Sequence, residues 1–205
     1  MLPQPLTALK QLLVEGADAS RFFQSFSTAL ALSSLQIHNF GGNSELPGFL
    51  KALALMPGFD EVASLAIIRD AEVDPQAAFQ SVCAALRRAG LAAPAQSGIF
   101  SSGRLQVGVF ILPDSSSAGM LESICLRAVA ADPAYACIEP EYFACLDRAG
   151  VPRPANMEKA QLQVFLASRH RPGLRIGEAA AAGVWPWQST AFDALRRFLQ
   201  EAGTP

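Results

Sequence analysis

The sequence predicts an α/β fold built on a Rossmann-like, four-stranded and mainly parallel sheet. Over the first 130 residues, short apolar segments alternate with longer segments of helical period, as they do in successive βαβ units. The segment 63–68 is apolar except for Ser64, which is typical of a strand covered on both faces. With 51% hydrophobic and 17% charged residues, the chain of 205 residues can bury a large core.

The strands of this sheet are predicted from apolar runs that end in turn residues, at 10–14, 35–40, 63–68 and 104–112. A segment of helical period follows each strand, at 18–32, 45–56, 75–89 and 119–130. Ser44 is a candidate N-cap for the second helix, and Asp74 precedes Pro75 in the manner of an N-cap for the third.

Beyond residue 132 the pattern changes to helices alone. These helices are predicted at 140–149, 157–169, 175–182 and 190–201, and Pro-rich or Gly-rich joints separate them. We therefore expect an α/β domain over residues 1–132 and a helical extension, 133–205, packed on it.

Several classes of function are disfavoured by the motifs. Neither a Walker A sequence nor GxGxxG occurs, which argues against an ATPase and a dinucleotide-dependent enzyme. The four cysteines form no CxxC pair, so we expect small buried hydrophobic residues and no zinc or redox site. No apolar run reaches the ~18 residues of a membrane-spanning helix, and no secretory signal is visible. The expected location is the cytoplasm, with no membrane partner.

Acidic residues follow three of the four predicted strands. They are Glu15, Asp70, Glu72 and Asp114, with Asp18, Asp74 and Glu122 a few residues further along. Ligands of open parallel sheets bind beyond the carboxyl ends of the strands, so we expect these side chains to converge. Carboxylates crowded at one edge repel one another unless protons or a cation neutralise them. An oxygen-only ligand set favours Mg²⁺ or Mn²⁺ over zinc.

Asp70 and Glu72 are two residues apart. If the chain leaves the third strand in an extended conformation, both side chains project to the same side and offer two carboxylates to one ion. The alternative, that acids at strand ends cap helices or lie in solvated turns, stays open for each of these residues. Arg69 beside them is a candidate for orienting a phosphate or for pairing with the carboxylates.

The same residues resemble the TOPRIM module shared by topoisomerases, bacterial primases and OLD-type nucleases. The resemblance is carried by Leu12-Leu13-Val14-Glu15-Gly16 with Asp18, and by Ile68-Arg69-Asp70-Ala71-Glu72. More narrowly, the chain is similar to an uncharacterised family of small stand-alone TOPRIM-like proteins. The segments that carry this likeness are Gly41-Gly42, 108–114, 119–122 and 165–168. The TOPRIM likeness covers about residues 8–130, and the narrower one covers nearly all of the chain.

The resemblance implies a role for each matching residue. Glu15 matches the glutamate that acts as a general acid or base and sometimes contacts the metal. Asp70 and Glu72 match the acidic pair that holds Mg²⁺, although the second position is usually Asp. Glu122 is suggested as an additional acid. The strand-end argument leaves Asp18, Asp114 and Arg69 as further candidates.

Two functions fit these residues. The first is a Mg²⁺- or Mn²⁺-dependent phosphodiesterase, a nuclease of TOPRIM type that uses water as the nucleophile on DNA or RNA. The second is a non-catalytic TOPRIM-like module whose acidic edge binds an ion, a nucleotide or a partner protein. A phospho-acceptor receiver domain ranks last, because it needs a lysine after its last strand and the only lysines in the sequence, Lys10, Lys51 and Lys159, do not directly follow strand 104–112.

The charge distribution bears on partners. The formal net charge is −2, yet residues 1–146 carry 8 basic and 13 acidic side chains, whereas residues 147–205 carry 8 and 5. An acidic core favours a partner protein that supplies basic contacts to nucleic acid. Basic clusters in the tail, Arg169-His170-Arg171 and Arg196-Arg197, are candidates for backbone contacts, with solvated helix ends as the alternative. The oligomeric state is left open.

Overall fold

The computed structural model describes residues 2–32 and 34–203. Within them the chain forms a four-stranded sheet of β1 (Lys10–Val14), β2 (Leu35–Asn39), β3 (Ser64–Asp70) and β4 (Gln106–Leu112). The strand order is β2-β1-β3-β4, and every neighbouring pair is parallel. The predicted α/β class is therefore confirmed, and β3 lies inside the sheet, as the apolar residues 65–68 indicate.

Four helices connect and follow these strands: α1 (Ala17–Ala29), α2 (Leu46–Ala54), α3 (Pro75–Arg88) and α4 (Leu121–Ala128). The start of α2 differs from the prediction, because a 3₁₀ turn, Asn43–Glu45, precedes the helix. Gly42 stands at the N-cap position of that turn in place of Ser44, and its N–H donates to the Glu45 carboxylate at 2.7 Å. The prediction for α3 is confirmed, since the Asp74 side chain accepts a hydrogen bond from the N–H of Ala77.

The C-terminal part is helical, as predicted. Its α-helices are α5 (Pro133–Ala136), α6 (Ala144–Arg148), α7 (Met157–Ala167), α8 (Ile176–Ala181) and α9 (Asp193–Gly203), with a π-helical segment, Ile138–Phe143, before α6. Short 3₁₀ turns occur at Phe59–Glu61 and Thr190–Phe192. No helix among the described residues is both long enough and apolar enough to cross a membrane.

The sheet separates two hydrophobic clusters. On one face, Leu13 and Ile67 pack against α2 and α3. On the other face, Leu12 and Ile68 belong to a cluster that also contains residues of α1, α4, α7, α8 and α9. Strand residues alternate between the two faces, so each strand contributes to both clusters. The helical extension and the strands share one hydrophobic cluster. The division of the chain into an α/β domain and an extension at residue 132 therefore stays a prediction.

The outer edge of β4 is covered by a segment of the chain that precedes it. The N–H of Gly98 donates to the carbonyl of Val109 at 2.8 Å, and the N–H of Ser101 donates to the carbonyl of Val107 at 2.9 Å. Between them, Phe100 and Gly108 form an antiparallel bridge. An edge strand with its hydrogen bonds occupied is protected from pairing with other chains.

The cysteine prediction is half correct. Cys83 and Cys125 are buried, whereas Cys137 and Cys145 are exposed. The two exposed cysteines lie on the short helical turns around the π-helical segment, at the surface, where apolar sequence neighbours do not ensure burial.

Candidate active site

The candidate site lies at the carboxyl edge of the two inner strands. Val14 pairs with Ile68 in the sheet, so the residues that follow β1 and end β3 come together. Here a cavity of about 130 Å³ is lined by acidic side chains from both strands and from the first turns of α1 and α4: Glu15, Asp70, Asp18 and Glu122. Arg69 also lines it. The structure thus brings together four of the predicted acids and the predicted arginine.

Glu15 is placed by the sharp turn between β1 and α1. Gly16 follows it with φ 85° and ψ 158°, a conformation that is almost confined to glycine. Partial burial raises the pKa of Glu15, while Arg69 and a hydrogen bond from the backbone N–H of Asn43 partly oppose the increase. The distance from Arg69 Nε to Glu15 Oε2 is 3.9 Å. Glu15 is therefore held between a guanidinium and a backbone donor, with its proton affinity increased.

Asp70 is the last residue of β3, and its Oδ1 accepts a hydrogen bond from the backbone N–H of Leu121 at 3.0 Å. Burial raises the pKa of Asp70 to about 7, and the neighbouring carboxylates of Glu122 and Glu15 act in the same direction. The Leu121 donor lowers it by less than these effects raise it. The result is a carboxyl group that takes up a proton close to neutral pH.

Glu122 and Asp18 are the other two acidic residues that line the cavity. Burial raises the pKa of Glu122, and the charge of Asp18 contributes to the increase, while the ammonium of Lys159 opposes it. Asp18 also accepts, through Oδ1, a hydrogen bond from the backbone N–H of Gly177 at 3.0 Å. Asp18 therefore has a structural partner in the helical extension in addition to its place in the cavity.

The side chains of Glu72 and Asp70 do not project to the same side, as they would if the chain left β3 in an extended conformation. The φ of Glu72 is 58°, in the left-handed region, and its backbone forms an antiparallel bridge with Gly119. The side chain is exposed and does not line the cavity. Its charge is still near enough to raise the pKa values of Asp70 and Glu15. The expected parallel projection is thus wrong, because the chain turns back at Glu72, and its role as a ligand stays a prediction.

Asp114 lies outside the cavity. Its carboxylate pairs with Arg127 at 2.6 Å and accepts the backbone N–H groups of Ser116 and Ser117. Although partial burial opposes them, these partners hold the pKa of Asp114 below its usual range. Asp114 lines a separate groove beside α3. The prediction that Asp114 lies among the clustered acids is wrong, because the turn after β4 directs its carboxylate to Arg127.

Arg69 is well placed for either of its predicted roles. Its side chain is 11% exposed, and one guanidinium nitrogen donates to the carbonyl of Ala78 at 3.4 Å. The contact with Glu15 is long for an ion pair, so the guanidinium retains donors for another partner.

The basic pairs of the tail are partly engaged within the chain. Arg169 forms an ion pair with Asp132 at 2.9 Å, and Arg196 pairs with Asp193. Arg171 and Arg197 are exposed. Two of the predicted basic positions therefore serve the structure of the extension.

Two contributors to the site carry no local signal of function. Ile176, the first residue of α8, lines the cavity from the helical extension. Asn39, at the end of β2, accepts backbone hydrogen bonds from Gly16 and Gly41. The position of Asn39 two residues before Gly41-Gly42 is a weak hint of a turn, and nothing near Ile176 distinguishes it from other core residues.

The carboxylates do not form a closed cage in this conformation. Among the described residues, no group of three or more His, Cys, Asp or Glu side chains is arranged to hold a metal ion. The four acids line one cavity but stand apart within it.

The fold and the site define a class: a Rossmann-like α/β protein with an acidic cavity at the carboxyl edge of its parallel sheet. The chain belongs to the family described as "Protein of unknown function (DUF3226)", whose model matches residues 9–204. The sequence predicts membership of an uncharacterised family, and this description agrees with that prediction. Membership of the TOPRIM superfamily is not part of the description and stays a prediction.

No curated protein matches the chain significantly. Two solved structures of the C-terminal region of the OLD protein of Xanthomonas campestris pv. campestris resemble it. The one phased with mercury is 15% identical, covers 97% of each chain and has a TM-score of 0.48. The one phased with platinum is 14% identical, covers 96% of this chain and 94% of its own, and has the same TM-score.

Proposed function

We propose that the protein is a Mg²⁺- or Mn²⁺-dependent phosphodiesterase of TOPRIM type that acts on nucleic acid. The observation that carries this proposal is the meeting of Glu15, Asp70 and Glu122 in one cavity at the carboxyl edge of the sheet. This is where ligands of open α/β sheets bind. The resemblance of the residues around Glu15 and Asp70 to the TOPRIM module supports the same assignment.

The donor set suits a hard divalent cation. The pKa values of all three carboxyl groups are raised, chiefly by burial, and neighbouring acids raise each of them further. A cation in the cavity would stabilise the charged form of each group. Asp70 and Glu15 are the proposed ligands, with Glu122 as a third. Glu72 is retained as a ligand on the resemblance alone, since its side chain lies outside the cavity.

The residues of the chain divide the proposed chemistry between them. A bound divalent cation would lower the pKa of a water molecule and offset charge on the phosphodiester. Glu15, whose pKa is raised chiefly by burial, is the proposed general acid or base. Arg69 has guanidinium donors available for a phosphate oxygen. Ile176 supplies an apolar wall.

Cleavage assays with matched variants test this proposal. Single- and double-stranded DNA and RNA would be incubated with the protein and Mg²⁺ or Mn²⁺, beside Asp70→Asn and Glu15→Gln. We expect metal-dependent cleavage that falls at least 100-fold in both variants. Asp114→Asn is the control, because Asp114 follows a strand but lies outside the cavity. Equal loss in all three variants, or wild-type activity in Asp70→Asn, would contradict the assignment.

The second candidate is a non-catalytic binding module. It is favoured by the exposed position of Glu72 and by the separation of the acids, which do not form a cage in this conformation. In that case the cavity would bind a cation or a basic group of a partner protein. Calorimetry that detects Mn²⁺ binding, lost in Asp70→Asn, together with no cleavage of any nucleic acid would support this module over the enzyme.

A further inference from the structure

We infer that Asn39 is a positioning residue of the acidic cavity and that it holds Glu15 in place from the neighbouring strand. The importance of Glu15 rests on the proposed function, whereas the contacts of Asn39 do not. Asn39 is the last residue of β2 and pairs in register with Val14, which directly precedes Glu15.

One oxygen atom of Asn39 ties two loops together. Its Oδ1 accepts hydrogen bonds from the backbone N–H of Gly16 at 2.9 Å and from that of Gly41 at 2.8 Å. Gly16 belongs to the β1–α1 turn and Gly41 to the turn that leads towards α2. Two donors use both lone pairs of the amide oxygen, so the side chain is saturated as an acceptor.

Both loops reach the same carboxylate. Gly16 is bonded to Glu15, so its position sets the backbone from which the Glu15 side chain extends. Gly41 opens the turn that carries Asn43, whose backbone N–H is near enough to the Glu15 carboxylate to lower its pKa. Asn39 therefore fixes the base of Glu15 through one contact and the donor at its tip through the other.

The loops need such a restraint because of the glycines themselves. Gly16 and Gly41 have φ values of 85° and 89°. Glycine has the widest choice of backbone conformations, and without an acceptor for their N–H groups these turns would lose the contact that selects one conformation. We expect the Asn43 donor to move away from Glu15 when the Asn39 oxygen is removed.

Amide hydrogen exchange followed by NMR tests this inference without any assumption about activity. Asn39→Leu keeps the branched shape of the side chain but removes the acceptor, and Asn39→Ala serves if leucine prevents folding. Asn39→Asp retains an acceptor oxygen and is the rescue variant. Gln36→Leu is the matched control, because the Gln36 side chain accepts the Thr7 N–H at the opposite end of the same strand.

We expect exchange at Gly16, Gly41 and Asn43 to accelerate at least tenfold in Asn39→Leu and to stay near the wild-type rate in Asn39→Asp. Gln36→Leu is expected to accelerate Thr7 and to leave the other three amides unchanged. If Asn43 keeps its wild-type exchange in Asn39→Leu while the two glycines exchange faster, Asn39 supports the turns but does not position Glu15, and the inference is overturned.

Cleavage kinetics provide a second, separate readout. If the proposed nuclease activity is found, kcat should fall at least tenfold in Asn39→Leu with little change in KM, and Asn39→Asp should recover part of it. A complete lack of cleavage by the wild-type protein would remove the proposed function. It would leave the exchange result at Asn43 intact, so the two failures are distinguishable.

Discussion

Gly177 and Asp18 are 159 residues apart, and the backbone N–H of Gly177 donates a hydrogen bond to Asp18 Oδ1 at 3.0 Å. This contact joins the start of α8 to the first turn of α1. It places Ile176, the neighbour of Gly177, in the wall of the acidic cavity. The helical extension is therefore a structural component of the candidate site.

Gly177→Ala is expected to destabilise the protein by about 1–3 kcal/mol, because an added Cβ overpacks this contact. The Cβ would lie 2.4 Å from the backbone oxygen of Asp18, so α8 would have to move away from α1. Thermal unfolding monitored by circular dichroism measures the change.

The control for this substitution is Gly48→Ala in α2. A Cβ at Gly48 meets no atom within 4 Å, and alanine is the better helix former there, so this variant should gain about 0.5–1 kcal/mol. Equal stability of Gly177→Ala and the wild type would show that α8 is not packed as closely as described.

The stability of the metal-free protein is expected to fall as the pH rises from about 4 to 7. The pKa of Asp70 in the fold is about 7, well above its ordinary value of 3.8, so the folded state binds more protons than the unfolded state in this interval. Asp70→Asn removes this linkage and should stabilise the protein at pH 8 by on the order of 2–4 kcal/mol.

Urea unfolding at pH 5 and pH 8 checks this expectation. The wild type should lose stability between the two values, and the curve of Asp70→Asn should be flatter. A wild-type protein that is more stable at pH 8 than at pH 5 would contradict the raised pKa.

Mn²⁺ or Mg²⁺ is expected to raise the midpoint of thermal unfolding more at pH 8 than at pH 5.5. At the higher pH the carboxyl group of Asp70, whose pKa is about 7, is ionised, whereas at the lower pH protons compete with the cation for it. At a concentration 100 times the Kd, binding stabilises the fold by about 2.7 kcal/mol. Scanning calorimetry with and without metal measures the rise in the unfolding midpoint. Asp70→Asn is the variant that should show no such rise.

Asp114→Asn is expected to destabilise the protein at pH 7 by about 1–2 kcal/mol, because it weakens a charge-assisted contact with Arg127. The pKa of Asp114 is lowered in the fold, so its contribution is complete above its unfolded pKa and is lost as the pH falls below it. The difference between variant and wild type should thus shrink under acidic conditions. Urea unfolding at pH 7 and pH 3 provides the comparison, and a difference that grows at pH 3 would contradict it.

The sheet could be predicted from the sequence because its strands are short apolar runs that end in distinct turn residues. Glu15 and Asp70 could be placed together for the same reason, since the carboxyl ends of parallel strands share one edge. The position of Glu72 could not be predicted, because its left-handed backbone depends on a bridge to Gly119, 47 residues further along. The inference from the spacing of Asp70 and Glu72 requires an extended chain. The bridge between Glu72 and Gly119 shows that the chain is not extended there.

Ile176 and Asn39 escaped prediction for a related reason. Ile176 lines the cavity from the helical extension, and Asn39 contacts Gly16, 23 residues before it, as well as the nearby Gly41. Neither belongs to a residue type that signals a catalytic role. Asp114 shows the reverse case, in which the residue type and strand-end position were suggestive but Arg127 determines where the carboxylate lies.

The segment that covers β4 also bears on how the protein behaves when it is engineered. With Gly98 and Ser101 bonded to β4, a foreign peptide cannot dock on that flank by strand addition unless it first displaces them. Shortening this loop would uncover a row of free amide and carbonyl groups next to a hydrophobic sheet. The uncovered edge would be open to pairing with other chains, so insertions and affinity tags are best kept away from residues 97–101.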